Sequence, residues 1–335
     1  MVLGHLFEKG LFQTNSMEMQ STTIHAAGGT EQFLTDLAPP RQNHTRIPMR
    51  NVKKSRVLIA VATVGGLIMS AASIAPSSAA PAPSSCNERA DGGLTVGYGL
   101  TFDQRLICFK VNRPASRRVL MATNRLTAPD SGLVGIDVRP ATGALFGLGD
   151  AGGVYELDVA AEKAVLKSRL NVAMTGRNFG LDFNPTVDRL RVVSDTGQNL
   201  RINVDTGAAT VDAPLNFTAG SAASGVGGVA YTNNDNDAST ATTLYDIDSI
   251  NDQLVTQNPP NNGTLVTGPK LGFDTDSATT FDIWSDVKDG KAISNKGFVA
   301  LDGGGTLFSI DLSSGALTVL GNLGADRLTG LAFPI

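Results

Sequence analysis

The sequence predicts an all-β fold, a β-propeller of five blades, from three observations. Short apolar strands that end in Asp or Asn at a turn occur five times along the chain. A second type of strand, usually containing glycine, precedes most of them and also occurs five times. The chain after residue 92 shows no 3.6-residue apolar period, so helices are not expected there. Units of about 45 residues with several short strands each are typical of propeller blades.

The first strand type reads LICFKVN, VYELD, LRINVD, LYDID and LFSID. The strands end at Asn112, Asp158, Asp205, Asp248 and Asp311, which are separated by 46, 47, 43 and 63 positions. An Asp or Asn side chain can hydrogen-bond the backbone two residues on and so start a turn, which explains the repeat without catalysis. The interval of 63 positions predicts a blade with a longer outer segment or longer loops.

The second strand type reads LVGIDVRP, FGLDFNP, GVGGVAY, TTFDIW and LTGLAF, and is predicted to be the innermost strand of each blade. The repeats begin with two outer strands, LTVGYGLT and LICFKV, and end with the lone inner strand LTGLAF. This C-terminal strand is therefore predicted to join the first blade and close the ring, which leaves no open sheet edge.

Several of these segments also resemble one bacterial family. They are LVGIDVRPATGALFGLG, FGLDFNPTVDRLRVVSDTGQNLRINVDTGA, VAYTNN, TTLYDIDSINDQLVTQNPPNNGTL, and LFSIDLSSGALTVLGNLG with LTGLAF. Together they are similar to domain-of-unknown-function family 4394 over about residues 93–335. The resemblance implies a secreted or periplasmic repeat protein of propeller type and no established activity.

The region before the repeats has the organisation of a secretory signal peptide. Residues 49–79 contain a basic segment, an apolar segment and a small-residue cleavage site before Ala80. An uncleaved anchor is the alternative, since the apolar segment approaches the roughly 20 residues that span a bilayer. Residues 1–48 are predicted to be a mis-assigned or disordered extension, 80–92 a flexible mature N-terminus, and 93–335 the propeller. The protein is thus expected to be secreted or periplasmic, without membrane association after cleavage.

Cleavage would remove all three histidines, His5, His25 and His44. A mature chain without histidine has no Ser-His-Asp triad and no histidine metal site. The full chain has a formal net charge of -4, and nucleic acid is not an expected partner because neutralising phosphates needs a basic face.

Cys86 and Cys108 are the only cysteines. In an oxidising compartment they are predicted to form a disulfide that would fix the N-terminal tail to the first ordered strands. Two unrelated buried thiols are the alternative.

Three carboxylates are predicted to face the central channel, at Asp137, Asp182 and Asp282. They come into register when the inner strands are aligned on Gly135, Gly180, Gly228, Thr280 and Gly330. Adjacent carboxylates raise one another's pKa unless an arginine or a cation compensates. The expected compensators are Arg139, Arg189, Arg191 and Arg201. Calcium, which prefers oxygen ligands, is the alternative, and no other cofactor is predicted.

The third blade is rich in paired charges, which have two interpretations. Arginine forks could pair with carboxylates to fix the register of adjacent blades. Alternatively, the blade could present a ligand site for a sugar or an organic acid, formed by Asp182, Asn184, Asp188, Arg189, Arg191, Gln198, Asn199 and Arg201. The segment TNNDND at 232–237 lacks the spacing of a calcium-binding loop and is predicted to be a solvated turn.

Two functions follow from these features. The first is a monomeric, non-catalytic binding or scaffold domain for a small polar ligand or for a protein or cell-surface partner, since histidine and free thiol nucleophiles are absent from the predicted mature chain. The alternative is a carboxylate-based hydrolase or lyase, with or without calcium, that acts on a sugar or another small polar substrate. Carboxylates roughly 5 to 9 Å apart across an open cleft would favour the enzyme.

Overall fold

The computed structural model describes residues 96–218, 220–301, 305–324 and 327–335. Five four-stranded antiparallel sheets form the blades of a β-propeller, which confirms the predicted fold class. One 3-10 turn, Pro260–Asn262, is the only helical element in these residues. None of the described helical structure has the length or apolar content to cross a membrane.

The strands are numbered β1 to β22 in chain order. Blade 1 consists of β1 (Val96–Thr101), β2 (Arg105–Lys110), β3 (Arg113–Ala122) and the C-terminal strand β22 (Leu328–Ala332). Blade 2 consists of β4 (Leu133–Val138), β5 (Leu145–Gly149), β6 (Gly153–Asp158) and β7 (Lys163–Arg169). Blade 3 consists of β8 (Phe179–Asn184), β9 (Arg189–Ser194), β10 (Asn199–Ile202) and β11 (Ala209–Val211).

A small hairpin separates blade 3 from blade 4 along the chain. It consists of β12 (Asn216–Thr218) and β13 (Ser221–Ala222). Blade 4 consists of β14 (Val226–Tyr231), β15 (Leu244–Asp248), β16 (Gln253–Gln257) and β17 (Leu265–Val266). Blade 5 consists of β18 (Thr280–Lys288), β19 (Lys291–Leu301), β20 (Thr306–Ile310) and β21 (Leu317–Asn322).

The C-terminal strand closes the ring, as the sequence predicts. β22 pairs antiparallel with β1, so that Gly330 lies opposite Leu100 and Ala332 opposite Tyr98. The five inner strands β22, β4, β8, β14 and β18 contact one another in that cyclic order. Blade 1 therefore combines both ends of the propeller, and its inner edge is covered by the last strand.

Apolar side chains pack between neighbouring blades and hold the ring together. Between blades 2 and 3, for example, Phe146 and Leu148 pack with Leu181 and Phe183 in one buried cluster. The rings of Phe146 and Phe183 meet edge to face at a centroid distance of 5.6 Å. Full burial of one such side chain contributes about 1.5–3 kcal/mol to the stability of the fold, so this packing stabilises the contact between the two blades.

Blade 4 departs from the predicted pattern of strand ends. VYELD, LRINVD and LFSID lie on the third strands of their blades, whereas LYDID forms β15, the second strand of blade 4. The long interval before Asp311 thus reflects a shift of one strand, the long hairpin β18–β19 and the long connection 267–279. The longer loops that the sequence predicts as one alternative are therefore present in the described chain, whereas the longer outer segment is not. A residue that starts a turn can serve any corner of a blade, so it does not specify the strand's place.

The predictions for residues 1–48, 49–79 and 80–92 lie outside the described residues, as does Cys86. Cys108 is buried in β2, and no free cysteine occurs among the described residues. The pairing of Cys86 with Cys108 stays a prediction.

Candidate functional site

The inner strands bring three carboxylates together in the channel. Asp137 of β4, Asp182 of β8 and Asp282 of β18 each offer one oxygen, and these oxygens lie within 4.8 Å of one another. All three side chains are buried, with Asp182 only 2 % exposed. A cavity of only about 10 Å³, which has room for about one water, lies next to them on the side where the inner strands begin. Its walls include the five aligned positions Gly135, Gly180, Gly228, Thr280 and Gly330.

Each channel carboxylate also links two inner strands. Asp137 accepts hydrogen bonds from the backbone N–H of Val138 on its own strand and of Phe183 on the next, both at 2.7 Å. Asp282 likewise accepts from Ile283 at 2.6 Å and from Phe333 at 2.7 Å. These contacts satisfy backbone donors that the inner edges of the blades would otherwise leave unpaired.

The same contact recurs at Asp182, which accepts from the backbone of Tyr231 on β14. In blades 4 and 1 the aligned positions are Ala230 and Ala332, so three of the five inner strands carry the carboxylate.

Burial raises the pKa of all three channel carboxyl groups. Burial and the charge of Asp282 raise the pKa of Asp137 well above its ordinary value. Burial and the charges of Asp137 and Asp282 do the same for Asp182. Burial raises the pKa of Asp282 to about 7, although hydrogen bonds from the backbone of Ile283 and Phe333 and from Asp182 oppose that rise. The hydrogen bond between Asp182 and Asp282 acts in the opposite direction on Asp182, whose pKa it raises.

The arginines predicted to compensate the channel carboxylates lie elsewhere, so that prediction is wrong. Arg139 pairs with Asp188 at 2.5 Å and with Asp205 at 2.9 Å, and thereby links blade 2 to two turns of blade 3. Arg189 donates to the backbone carbonyls of Val187 and Asp188. Across the described ranges, none of the four predicted guanidinium groups hydrogen-bonds a channel carboxylate, and each donates to other acceptors.

Arg191 is the centre of a buried polar cluster between blades 3 and 4. The side chain, 1 % exposed, donates to Asn199 at 2.7 Å, to Asp212 at 2.6 Å and to Asn261 at 2.8 Å. Asp212 also accepts from Arg201 at 2.7 Å. Burial alone would raise the pKa of Asp212, but the hydrogen bonds from Arg201 and Arg191 hold it below its ordinary value.

The eight predicted ligand-binding residues are thus divided among several places. Asp182 faces the channel, Asp188 pairs with Arg139, and three residues, Arg191, Asn199 and Arg201, belong to the Asp212 cluster. Of the remaining three, Asn184 accepts from Thr186 and also hydrogen-bonds the Tyr231 side chain of blade 4. Arg189 donates to nearby carbonyls, and Gln198 bonds the backbone of Thr175 and Ala173.

The segment TNNDND crosses one end of the ring and is less solvated than predicted. Asn236 donates from blade 4 to the carbonyl of Pro140, which follows the inner strand of blade 2, at 2.6 Å. Asn234 donates to the carbonyl of Ile283 in blade 5 at 2.9 Å. Because blades 2 and 4 are not neighbours, the segment lies across the end of the ring near the carboxylates.

Asp246 on β15 was not among the candidate site residues predicted from the sequence. Both carboxylate oxygens are buried without a hydrogen-bond partner in the described part of the chain. Burial raises the pKa of Asp246 to about 8, although the charge of Arg191 opposes that rise. A charged residue in the middle of the apolar strand LYDID was the available signal, because such residues are seldom buried without a partner.

Two hydrogen-bond partners of Arg191 were not predicted from the sequence. Asp212 and Asn261 are 21 and 70 positions away along the chain, and neither stands in a recognisable pattern with Arg191.

Comparisons with known proteins add a family. No curated protein matches the chain. Among solved structures, it is similar to a chain of a nidogen/laminin complex, with 9% identity, a TM-score of 0.44, and coverage of 72% of this chain and 99% of that one. It is also similar to an auxiliary nutrient binding protein from Bacteroides thetaiotaomicron, with 12% identity, a TM-score of 0.40, and coverage of 72% and 64%. These likenesses are too weak to bear on function.

One family model matches residues 105–332, and its description is Domain of unknown function (DUF4394). The match extends from β2 of blade 1 around the ring to β22. Because it covers more than half of the chain, the protein belongs to the family Domain of unknown function (DUF4394).

Proposed function

We propose that this protein is an exported, monomeric and non-catalytic propeller that binds a small polar ligand or a protein or cell-surface partner. The observation that supports this proposal is the enclosure of the channel carboxylates. Asp137, Asp182 and Asp282 are buried, accept hydrogen bonds from inner-strand backbone, and adjoin a cavity of only about 10 Å³. A substrate for carboxylate catalysis needs an open cleft between the carboxyl groups, whereas these carboxylates are buried and hydrogen-bonded to the backbone of the inner strands.

An activity screen tests the non-catalytic role. Purified protein would be incubated with nitrophenyl glycosides for hydrolase activity and with a polyuronate for lyase activity. We expect no product above the rate of a buffer control. Product formation that disappears in Asp282→Asn, with an unchanged circular dichroism spectrum, would overturn the proposal and favour the carboxylate-based enzyme. Asp188→Asn, which changes a carboxylate outside the channel, is the matched control.

We propose further that protons, rather than calcium, compensate the channel carboxylates. Calcium takes six to eight oxygen ligands, whereas both oxygens of Asp137 and of Asp282 already accept backbone N–H groups. Calcium at these three residues is the alternative. The midpoint of thermal unfolding is expected to be the same with a calcium chelator and with millimolar calcium, and a clear rise that calcium causes and magnesium does not would establish the alternative.

The export proposal rests on the signal-peptide pattern of residues 49–79. We expect the mature protein to begin near Ala80 and to lie in the periplasm or outside the cell. N-terminal sequencing of the exported protein tests this, and a mature terminus before Met49 would contradict it.

A further inference from the structure

A cavity of about 170 Å³ lies at the end of the ring where the inner strands begin, away from the polar clusters described above. It is formed by residues that precede or begin inner strands, and by the turn after β1. The residues that matter here are Phe102, Arg177, Thr279, Thr280 and Arg327. The cavity has room for a small organic molecule, whereas the cavity in the channel beyond it has a volume of only about 10 Å³.

Two guanidinium groups at this cavity have no carboxylate partner among the described residues. Arg177 precedes β8 and Arg327 precedes β22, and neither makes an ion pair within the part of the chain that the structure describes. Arg327 is held over the ring of Phe102, at 5.6 Å from the ring centroid. Two arginines beside one cavity, neither with an ion pair among the described residues, form a local positive potential that attracts anions, although the chain as a whole is acidic.

Two of the residues that line this cavity carry buried hydroxyl groups without a hydrogen-bond partner among the described residues. The Oγ1 atoms of Thr279 and Thr280 have no hydrogen-bond partner among the described residues, although the residues are only 3 % and 6 % exposed. Buried hydroxyl groups are normally hydrogen-bonded. Two hydroxyl groups without a partner, on residues that line one cavity, therefore indicate that a hydrogen-bonding molecule binds there. A hydroxyl can donate to a carboxylate or accept from a ligand's own hydroxyl group.

We propose that this cavity binds a small hydroxylated carboxylate. Arg177 and Arg327 donate hydrogen bonds to the carboxylate of this ligand, and Thr279 and Thr280 hydrogen-bond its hydroxyl groups. Guanidinium forks match the planar carboxylate geometrically, and the threonines supply the polar contacts that fix orientation. This site rests on the proposed binding function and names its ligand class.

Isothermal titration calorimetry with D-glucuronate, D-glucose and inorganic phosphate tests the site. Glucose has the same ring size but no carboxylate, so we expect glucuronate to bind and glucose not to bind. Arg177→Gln and Arg327→Gln are each expected to weaken glucuronate binding about tenfold or more, since they remove charge-assisted hydrogen bonds. Lys288→Gln, which removes one positive charge at the far end of β18, is the control and should bind as the wild type does.

Thr280→Val separates a ligand contact from a structural role. The hydroxyl makes no hydrogen bond within the protein as described, so its loss should leave the thermal midpoint unchanged or higher while glucuronate binding weakens. A lowered thermal midpoint with unchanged glucuronate affinity would overturn the assignment of Thr280.

Absence of glucuronate binding, or tighter binding of phosphate, would overturn the ligand class. Glucuronate binding that survives both arginine substitutions would overturn this site and leave the proposed binding function standing. The activity screen with Asp282→Asn addresses the proposed function separately, because it does not depend on this cavity.

Discussion

Arg191→Met is expected to destabilise the propeller strongly, whereas Arg201→Met should have a small effect. Arg191 is 1 % exposed and donates to Asn199, Asp212 and Asn261, so its loss removes three hydrogen bonds and leaves the buried Oδ1 of Asn199 without this donor. The Arg201 side chain is 33% exposed, and its one ion-pair partner among the described residues is Asp212. Methionine retains an apolar stem in both cases, so the comparison isolates the polar contacts.

The magnitude follows from burial. Breaking a buried ion pair typically costs about 3 to 5 kcal/mol, and Arg191→Met should lie near the lower end because Arg201 still neutralises Asp212. Arg201→Met should cost about 1 kcal/mol or less, because the Arg201 side chain is 33% exposed and therefore partly screened by water, and because Arg191 still pairs with Asp212 in its absence. For a domain of this size, 1 kcal/mol shifts the thermal midpoint by roughly 2–4 °C. We therefore expect a fall of about 6–12 °C for Arg191→Met and of no more than about 4 °C for Arg201→Met.

Circular dichroism melts and urea titrations at pH 7 measure both variants against the wild type. The urea midpoint should fall with an unchanged slope, since the surface exposed on unfolding is the same. Equal destabilisation by the two substitutions, or an Arg191→Met midpoint within about 2 °C of the wild type, would refute the reasoning that burial of Arg191 decides the difference.

Three further predictions concern other parts of the ring. Burial raises the folded-state pKa of Asp246 to about 8 from an unfolded value near 4. The contribution of protonated Asp246 to stability is therefore complete below about pH 4 and is lost as the pH rises towards 8. Asp246→Asn should remove part of that decline, and a variant whose urea midpoints at pH 5 and pH 9 differ as much as those of the wild type would contradict this. Deleting residues 328–335 removes the strand paired with β1 and should abolish cooperative melting, whereas an unchanged melt would mean that ring closure contributes little. Reduction of a Cys86–Cys108 disulfide should cost about 3 kcal/mol, and mass spectrometry after alkylation reports the bond, with two labelled thiols in unreduced, denatured protein as the contrary result.

The sequence by itself determined the fold class and the central positions of the propeller. Alternating apolar residues define strands, and five inner strands at similar intervals require five blades. The alignment of Asp137, Asp182 and Asp282 could be read directly, because inner strands of equivalent blades place equivalent residues at one level of the channel. These features depend on local periodicity and repetition, which a linear sequence displays.

Only the tertiary structure decided which charged groups meet. Arg191 finds Asp212 and Asn261 through the packing of blade 4 on blade 3, and Arg139 finds Asp188 through the packing of blade 2 on blade 3. The cavity beside Arg177 and Arg327 likewise joins residues from opposite ends of the domain. Side-chain pairing across blades depends on the angle and the separation at which two sheets pack, and no spacing along the chain records those quantities.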